Sequence, residues 1–455
     1  MTKTIHILMA AATAITLCGC SKPAANMVSR DLALSVSHDR AAAEPPAAQP
    51  PPAESVSITE PDGDLALGTA LALALLHNPA FRSDALEVRI AEAERLQASL
   101  RPNPELIFEA EEIGAGAEST DPAELTIALG QVIELGDKRK KRTHLADIQA
   151  QLAAIDTEAR RLDILTEVHS RFVDLLAAQH QVELAHQLED LAEATVRAVS
   201  TLVEAGKTSP LEETRAKIRL SNVRTQSKQT LQNLQTARYA LAALWAAPTP
   251  RFEKAVGAFE TTAPLASAED LIRRLDNNPD LARWGVAIEQ RRAALQLERA
   301  KAVPDLNLAG GVQLLEGETA GVFGLGLPLP VYDKNQGGRL AAAHRLEQAG
   351  LEAQAAEIRL RTLLRTAHGK AANALTRIEE LRRNVLTNAE SLFEAIDEGY
   401  RAGKFGYLDL LDAQSTYAEA QREYIDALTD YHLARAELER LIGDVAEPSE
   451  QTDSK

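Results

Sequence analysis

The fold turns on two pairs of short segments: ELIFEAEEI (residues 105–113) with ELTIALGQVI (124–133), and DLNLAGGVQL (305–314) with GVFGLGL (321–327). In each, apolar side chains recur at every second position. Leu106, Phe108 and Ala110, then Leu125, Ile127 and Leu129, share one face of the first pair. Leu306, Leu308 and Val312, then Phe323, Leu325 and Leu327, do so in the second. A period of two belongs to a strand with one apolar face, and the Gly and acidic residues between the members of each pair predict hairpin loops. About ten alternating residues suffice for a tilted strand to cross a bilayer, one face to lipid and one to water.

Working outward, everything around one hairpin recurs around the other. Asn78-Pro79 returns as Asn278-Pro279, and Pro104 with Leu106 as Pro304 with Leu306. Asp137-Lys138 returns as Asp333-Lys334, Ala205-Gly206-Lys207 as Ala402-Gly403-Lys404, and Leu244 as Leu441. Landmarks in the same order with nearly constant offsets mean a duplication. Each half predicts a short helix before Asn-Pro, where the residue preceding proline leaves the helical region. A helix of about twenty residues follows, from Ala80 to Leu100 and from Asp280 to Ala302, and then the hairpin.

After each hairpin comes a proline-free helical tract, about 67 residues from Arg139 to Ala205 and about 68 from Asn335 to Ala402, each roughly 100 Å long at 1.5 Å per residue. A helix of that length cannot belong to an ordinary compact domain. Leu145, Ile148, Leu152, Ile155, Ala159 and Leu162 keep a 3,4 spacing, and Leu381, Val385, Leu392 and Ile396 continue a similar seam in the second half. Coiled-coil packing is expected. A Gly-containing turn at 205–210 or 402–406 then reverses the chain into a helix of nearly forty residues, so each half ends as a long antiparallel helical hairpin.

Composition agrees with this plan. Of 455 residues only 4% are aromatic, while Ala, Leu, Glu, Arg and Gln dominate long tracts, as expected of long helices with small and aliphatic seams. The formal charge of -17 argues against a nucleic-acid partner, since binding there depends on clustered cations. The chain opens with Lys3, a largely apolar run from Ile5 to Leu17, and Leu17-Cys18-Gly19-Cys20. This resembles a bacterial lipoprotein signal peptide (1–19), with Cys20 the acylated residue; an ordinary signal cleaved near small residues is the alternative. Ser21 after the cysteine resembles lipoproteins sorted to the outer membrane. Residues 20–63, rich in Pro, Ala and Ser, read as an extended tether. No later stretch offers about 18 uninterrupted apolar residues, so any crossing must be made by strands.

Four strands alone in lipid would leave edge amides without partners, so the sheet must close by association of copies. Three copies would supply twelve strands and a helical tube beneath them. The expected fold is therefore mainly α with a small β part, internally duplicated: a long antiparallel coiled-coil barrel on a transmembrane β-barrel. Its repeats span 64–255 and 256–445, with a polar tail at 446–455.

This duplicated plan resembles the TolC family of outer membrane factors over residues 64–445, and Gln131 to Arg139 is similar to the segment after the first hairpin in its CzcC-like heavy-metal branch. The resemblance implies a homotrimer, a periplasmic adaptor protein, an inner-membrane transporter of the resistance-nodulation-division type, and outer-membrane lipid as partners. It implies a lipid-anchored outer-membrane duct, passive in transport, with divalent metal cations as cargo. A drug or protein export duct of the same family, or a poreless periplasmic adaptor or structural lipoprotein, are the alternatives.

Tyr400, Gly403 and Leu408-Asp409-Leu410-Leu411-Asp412 match the family's gate pattern. Residues three apart share a helical face, and a threefold axis would gather six carboxylates, attracting cations and repelling one another. Alternatively Asp409 and Asp412 only cap and solvate a first helical turn. Phe405 stands where a cation is usual. Gly206, Lys207, Ser209, Gly403, Lys404 and Gly406 are implied to dock the adaptor, although the glycines are also needed for the reversals. No zinc-protease, phosphate-loop or nucleophile-elbow motif is present, so no catalysis and no cofactor are expected. His169, His180 and His186 do not share a helical face well, and seam positions are expected rather than a metal site.

Overall fold

The computed structural model describes residues 59–111, 124–315 and 318–443. Cys20, the signal segment, most of the tether and the tail 446–455 lie outside the described residues.

The first repeat runs β1 (Asp64–Ala66), α1 (Leu67–His77), α2 (Pro79–Ser99), β2 (Glu105–Glu111), β3 (Glu124–Ile133), α3 (Lys138–Glu204) and α4 (Pro210–Ala242). The second runs β4 (Lys254–Val256), α5 (Ala268–Arg274), α6 (Pro279–Lys301), β5 (Leu306–Leu315), β6 (Glu318–Gly326), α7 (Gln336–Glu380), α8 (Leu386–Arg401) and α9 (Tyr407–Ile442). The two Asn-Pro landmarks start α2 and α6 for the same reason. Proline at the first helical position needs no N–H partner, and the preceding Asn caps: Asn78 accepts from Phe81 N at 3.0 Å, and Asn278 accepts from Asp280 N at 2.7 Å. Each Asn also donates its amide to a second recurring landmark of its repeat, Asn78 to Leu244 O and Asn278 to Leu441 O, both at 2.8 Å. Both asparagines are buried, so these bonds replace water that would otherwise satisfy them.

The four long strands form one antiparallel sheet in the order β2-β3-β5-β6. Phe108 faces Ile127, Ile127 faces Val312, Leu129 faces Gly310, and Gly310 faces Phe323, so the alternating apolar residues fall on one face across all four strands. The second hairpin lies slightly differently from its prediction. β5 begins at Leu306 and β6 starts at Glu318 and stops at Gly326, before Pro328 and Pro330, which lack an N–H for a ladder. Beneath the sheet, a parallel pair β1–β4 ties the start of one repeat to the start of the other. The body begins earlier than the predicted tether end. Glu60 accepts from Trp245 Nε1 at 3.1 Å and from Arg251 N at 2.6 Å, docking the chain before Gly63.

The main core sits where α1, α3, α7, α9 and the β1–β4 pair meet, around Leu65, Leu73, Val168, Leu175, Phe252 and Tyr431. Burying such side chains contributes roughly 1.5–3 kcal/mol each. The helix after the second hairpin corrects the predicted seam. Residues 381–385 form a π turn between α7 and α8, which takes one extra residue per turn. The buried line therefore passes from Ile378 and Leu381 to Ala389 and Tyr400, while Val385 and Leu392 face outward. The helix starts also align differently: the left-handed cap residues are Asp137 (φ 59°) and Asn335 (φ 54°), not Asp333, because the linker after β6 is longer than that after β3.

Candidate functional site: barrel wall, junction and helical tips

The sheet has two chemically opposite faces. On one, Phe323 is 78% and Leu325 64% exposed, alongside exposed Leu106, Phe108, Leu125 and Leu129. A contiguous apolar face of this kind is costly in water and suited to hydrocarbon. The other face carries Glu105, Glu109, Glu111, Glu124, Thr126, Asn307, Gln313 and Glu318 among small residues and the aliphatics Ile107, Val132, Leu315 and Val322, with Gln313 donating to Glu124 at 2.6 Å. None of these four strands holds a Lys or Arg. Among the described residues no helix is long and apolar enough to cross a membrane.

Polar clamps join wall to helices. Arg142 donates to Glu134 at 2.6 and 3.1 Å and to the carbonyls of Ala98 and Leu100 at 2.9 and 3.1 Å, closing the end of α2 and the exit of β3 onto α3. The Glu134 hydrogen bonds hold its guanidinium above the usual arginine range. Lys138 meets Asp305 at 2.7 Å, and Asn335 donates to Glu298 O at 2.8 Å in the second repeat. The clamp roles of Lys138 and Arg142 have one local signal in the sequence, the excess of cations at a helix start.

At the far end the two tips are built alike. Lys207 N donates to Leu202 O and Lys404 N to Gly399 O, both at 2.8 Å, while Gly206 N and Gly403 N donate to Val203 O and Tyr400 O, both at 2.9 Å. These are paired Schellman closures, and they put Gly206 at φ 66° and Gly403 at φ 72°, where a Cβ is strained. The repeats differ in filling. Phe405 lies over Gly399, whose missing side chain makes room for it, where the first repeat has Thr208 and Leu202. Gly206, Lys207, Ser209, Gly403, Lys404 and Gly406 are all exposed at the turns. Ser209 caps α4, accepting from Leu211 N at 3.2 Å.

The structure separates the three residues read as a gate. Tyr400 is buried between the tips with Val199, Ala216, Tyr407 and Leu410, not on the open surface. Its hydroxyl has no hydrogen-bond partner among the described residues, and burial, with the charge of Glu212 second, pushes its pKa up to about 12. Asp409 is exposed but employed: its Oδ2 accepts from Gly406 N at 2.9 Å, capping α9. Asp412, one turn on, is exposed on the same face. Behind the tips Gln414 donates to Thr195 at 3.0 Å, a buried bond between the hairpins that the sequence reading missed.

The histidines sort by tertiary contact. His169 and His432 line a cavity of about 380 Å³ with Phe172, Arg435 and Glu439. Burial, then the neighbouring His432 and Arg435, lowers the His169 pKa to about 4. Glu439 stands 3.8 Å from its Nδ1 but is already engaged by Arg435 at 2.9 Å. His180 stacks on Phe259, and His186 is exposed. Among the described residues no group of three or more His, Cys, Asp or Glu side chains is placed to hold a metal ion.

Comparisons with known proteins match this architecture. Residues 70–247 and 272–444 match the Outer membrane efflux protein family, one match per repeat. The chain is 33% identical over 386 residues to the cobalt-zinc-cadmium resistance protein CzcC of Cupriavidus metallidurans, covering 84% of this chain and 91% of that protein. The solved structure of CusC superposes with a TM-score of 0.73 at 16% identity over 83% of this chain and 91% of that one. That of VceC from Vibrio cholerae gives 0.70 at 18% identity over 83% and 96%. At such identities these two speak for the fold alone. The family match over both repeats and the likeness to the cobalt-zinc-cadmium resistance protein, taken with the apolar strand face and the duplicated helical hairpins, make this chain a member of the outer membrane efflux protein family, an outer-membrane efflux channel protein.

Proposed function

We propose that the chain is one third of a passive trans-envelope exit duct for divalent heavy-metal cations. The observation that carries this reading is the sheet itself: an exposed apolar face and two edge strands, β2 and β6, unpaired among the described residues. Three copies of four strands close such edges into twelve. Outward-facing Leu211 and Ile218 on α4, and Leu340, Leu351 and Ile358 on α7, offer the seams along which copies of the helical hairpins pack.

The duct carries no catalysis. An inner-membrane resistance-nodulation-division transporter supplies energy, a periplasmic adaptor docks on the exposed tips around Gly206, Lys207, Ser209, Gly403, Lys404 and Gly406, and acylated Cys20 tethers the chain to the outer membrane. Asp412, without a hydrogen bond or ion pair from its side chain among the described residues, and Asp409, shared with the α9 cap, form the acidic constriction. The cargo rests on the likeness to a cobalt-zinc-cadmium resistance protein over most of both chains.

The test is the sensitivity profile of a deletion strain beside single-channel recording of the purified protein. Loss of zinc, cobalt and cadmium tolerance with dye and detergent tolerance intact is expected, together with conductance from a trimer. Unchanged metal tolerance would remove the cargo, and a monomer without conductance would remove the duct.

A further inference from the structure

The duplication supplies an internal control at the lower rim of the barrel. Five consecutive cations, Lys138-Arg139-Lys140-Lys141-Arg142, open α3 directly after β3. The second repeat builds the same left-handed turn at Asn335 and continues Gln336-Gly337-Gly338-Arg339, with one cation in the corresponding five positions. The turn therefore does not require the charge, and cations in a first helical turn oppose the helix dipole.

Two of the five are structural, Lys138 on Asp305 and Arg142 on Glu134. Lys140 has only a solvent-exposed contact with Asp137 at 3.3 Å. Among the described residues, Arg139 and Lys141 make no ion pair, and neither does Arg101 across the groove. That groove, about 640 Å³, is lined by Arg101, Arg139 and Lys140, by two carboxylates already engaged, Glu134 by Arg142 and Asp137 by Lys140, and by Gln131 and Ile133, which continue the register of the apolar sheet face. Cations thus gather immediately below the face turned to hydrocarbon. The second repeat marks the same level with apolar groups: beyond β6 the chain exposes Leu329, Val331 and Tyr332, the last 92% exposed, as residues at a membrane interface do.

We propose that this groove seats the phosphate headgroup of an anionic phospholipid in the periplasmic leaflet of the outer membrane. Arg101 and Arg139 supply planar forks for the phosphate oxygens and Lys140 a point charge, while the acyl chains rise along Ile133 and Leu129. The inference rests on the reading of the sheet as a membrane wall.

The full-length protein in detergent is titrated with dioctanoyl-phosphatidylglycerol, dioctanoyl-phosphatidylcholine and inorganic phosphate, alongside a variant carrying Arg101→Gln, Arg139→Gln and Lys140→Gln. A control carries Lys334→Gln and Arg339→Gln. Saturable phosphatidylglycerol binding by wild type and control, weakened at least roughly tenfold in the triple variant, is the expected result. Equal affinity for inorganic phosphate would make it a free-anion site, equal affinity for phosphatidylcholine would leave only unspecific lipid contact, and an unchanged triple variant would place binding elsewhere; each overturns the proposal. Should the triple variant not fold, Arg101→Gln alone, on the exposed linker before β2, carries the same comparison. Conductance in bilayers of phosphatidylcholine is recorded in parallel. Its absence in wild type would sink the wall reading, whereas normal conductance without anionic-lipid preference would sink this inference alone.

Discussion

Replacing His169 by Gln should flatten the acid limb of the protein's stability curve. His169 is held neutral in the cavity between α3 and α9, its side chain only 18% exposed, with His432 and Arg435 opposing its charge and Glu439 occupied by Arg435. Its pKa falls from the ordinary 6.5 to about 4 on folding. Between those values the unfolded chain binds the proton and the folded one does not, so stability rises with pH across that window. The contribution is complete above pH 6.5 and is lost as pH falls toward 4. A fall of roughly 2.5 in pKa, at about 1.4 kcal/mol for each, amounts to about 3.5 kcal/mol in full, of which about 2.5 kcal/mol is lost by pH 4.5. His432, also lowered by burial, adds in the same direction and remains in the variant. The assay is denaturant unfolding of the full-length protein from pH 7.5 to 4.5, with side-chain NMR titration of the histidines. The variant should lose about 2.5 kcal/mol less than wild type between pH 7.5 and 4.5, whatever its stability at neutral pH. Parallel curves, or an imidazole at position 169 titrating near 6.5, would refute the buried-neutral account.

Three further outcomes follow from particular contacts. Phe108→Lys, on the apolar sheet face, should cost about 2–4 kcal/mol in bilayer-refolding measurements, while Glu109→Lys on the opposite face is tolerated; equal costs would mean the faces are misassigned. Tyr400→Phe removes a buried hydroxyl without a partner and should leave thermal stability unchanged or raise it by up to about 1 kcal/mol, so a clear loss would reveal a hidden bond. Asp409→Ala should cost about 1 kcal/mol through the α9 cap, whereas Asp412→Ala should leave melting unchanged and lower cation preference in planar bilayers.

Local signals were enough for much of this molecule. Alternation at Leu106 to Ala110 and Leu125 to Leu129 determined both the strands and their lipid face, because a side-chain period of two leaves one choice of face once one side is apolar. Asn78-Pro79 and Asn278-Pro279 marked helix starts because proline and a capping amide act within a single turn. The duplication, the length of the helices and the glycine turns were legible on the same grounds. Tertiary structure alone decided what depends on neighbours far along the chain. The π turn at 381–385 rotates the buried face by one residue, which no spacing rule anticipates, and so Val385 and Leu392 left the seam. Tyr400 went into the core because α3 and α4 of the other repeat cover it, and Asp409 was drawn into a cap by the backbone of Gly406. His169 found its environment in His432, Arg435 and Glu439, more than 260 positions away. Burial and electrostatic partners are set by which surfaces meet, and a residue's chain neighbours do not encode that meeting.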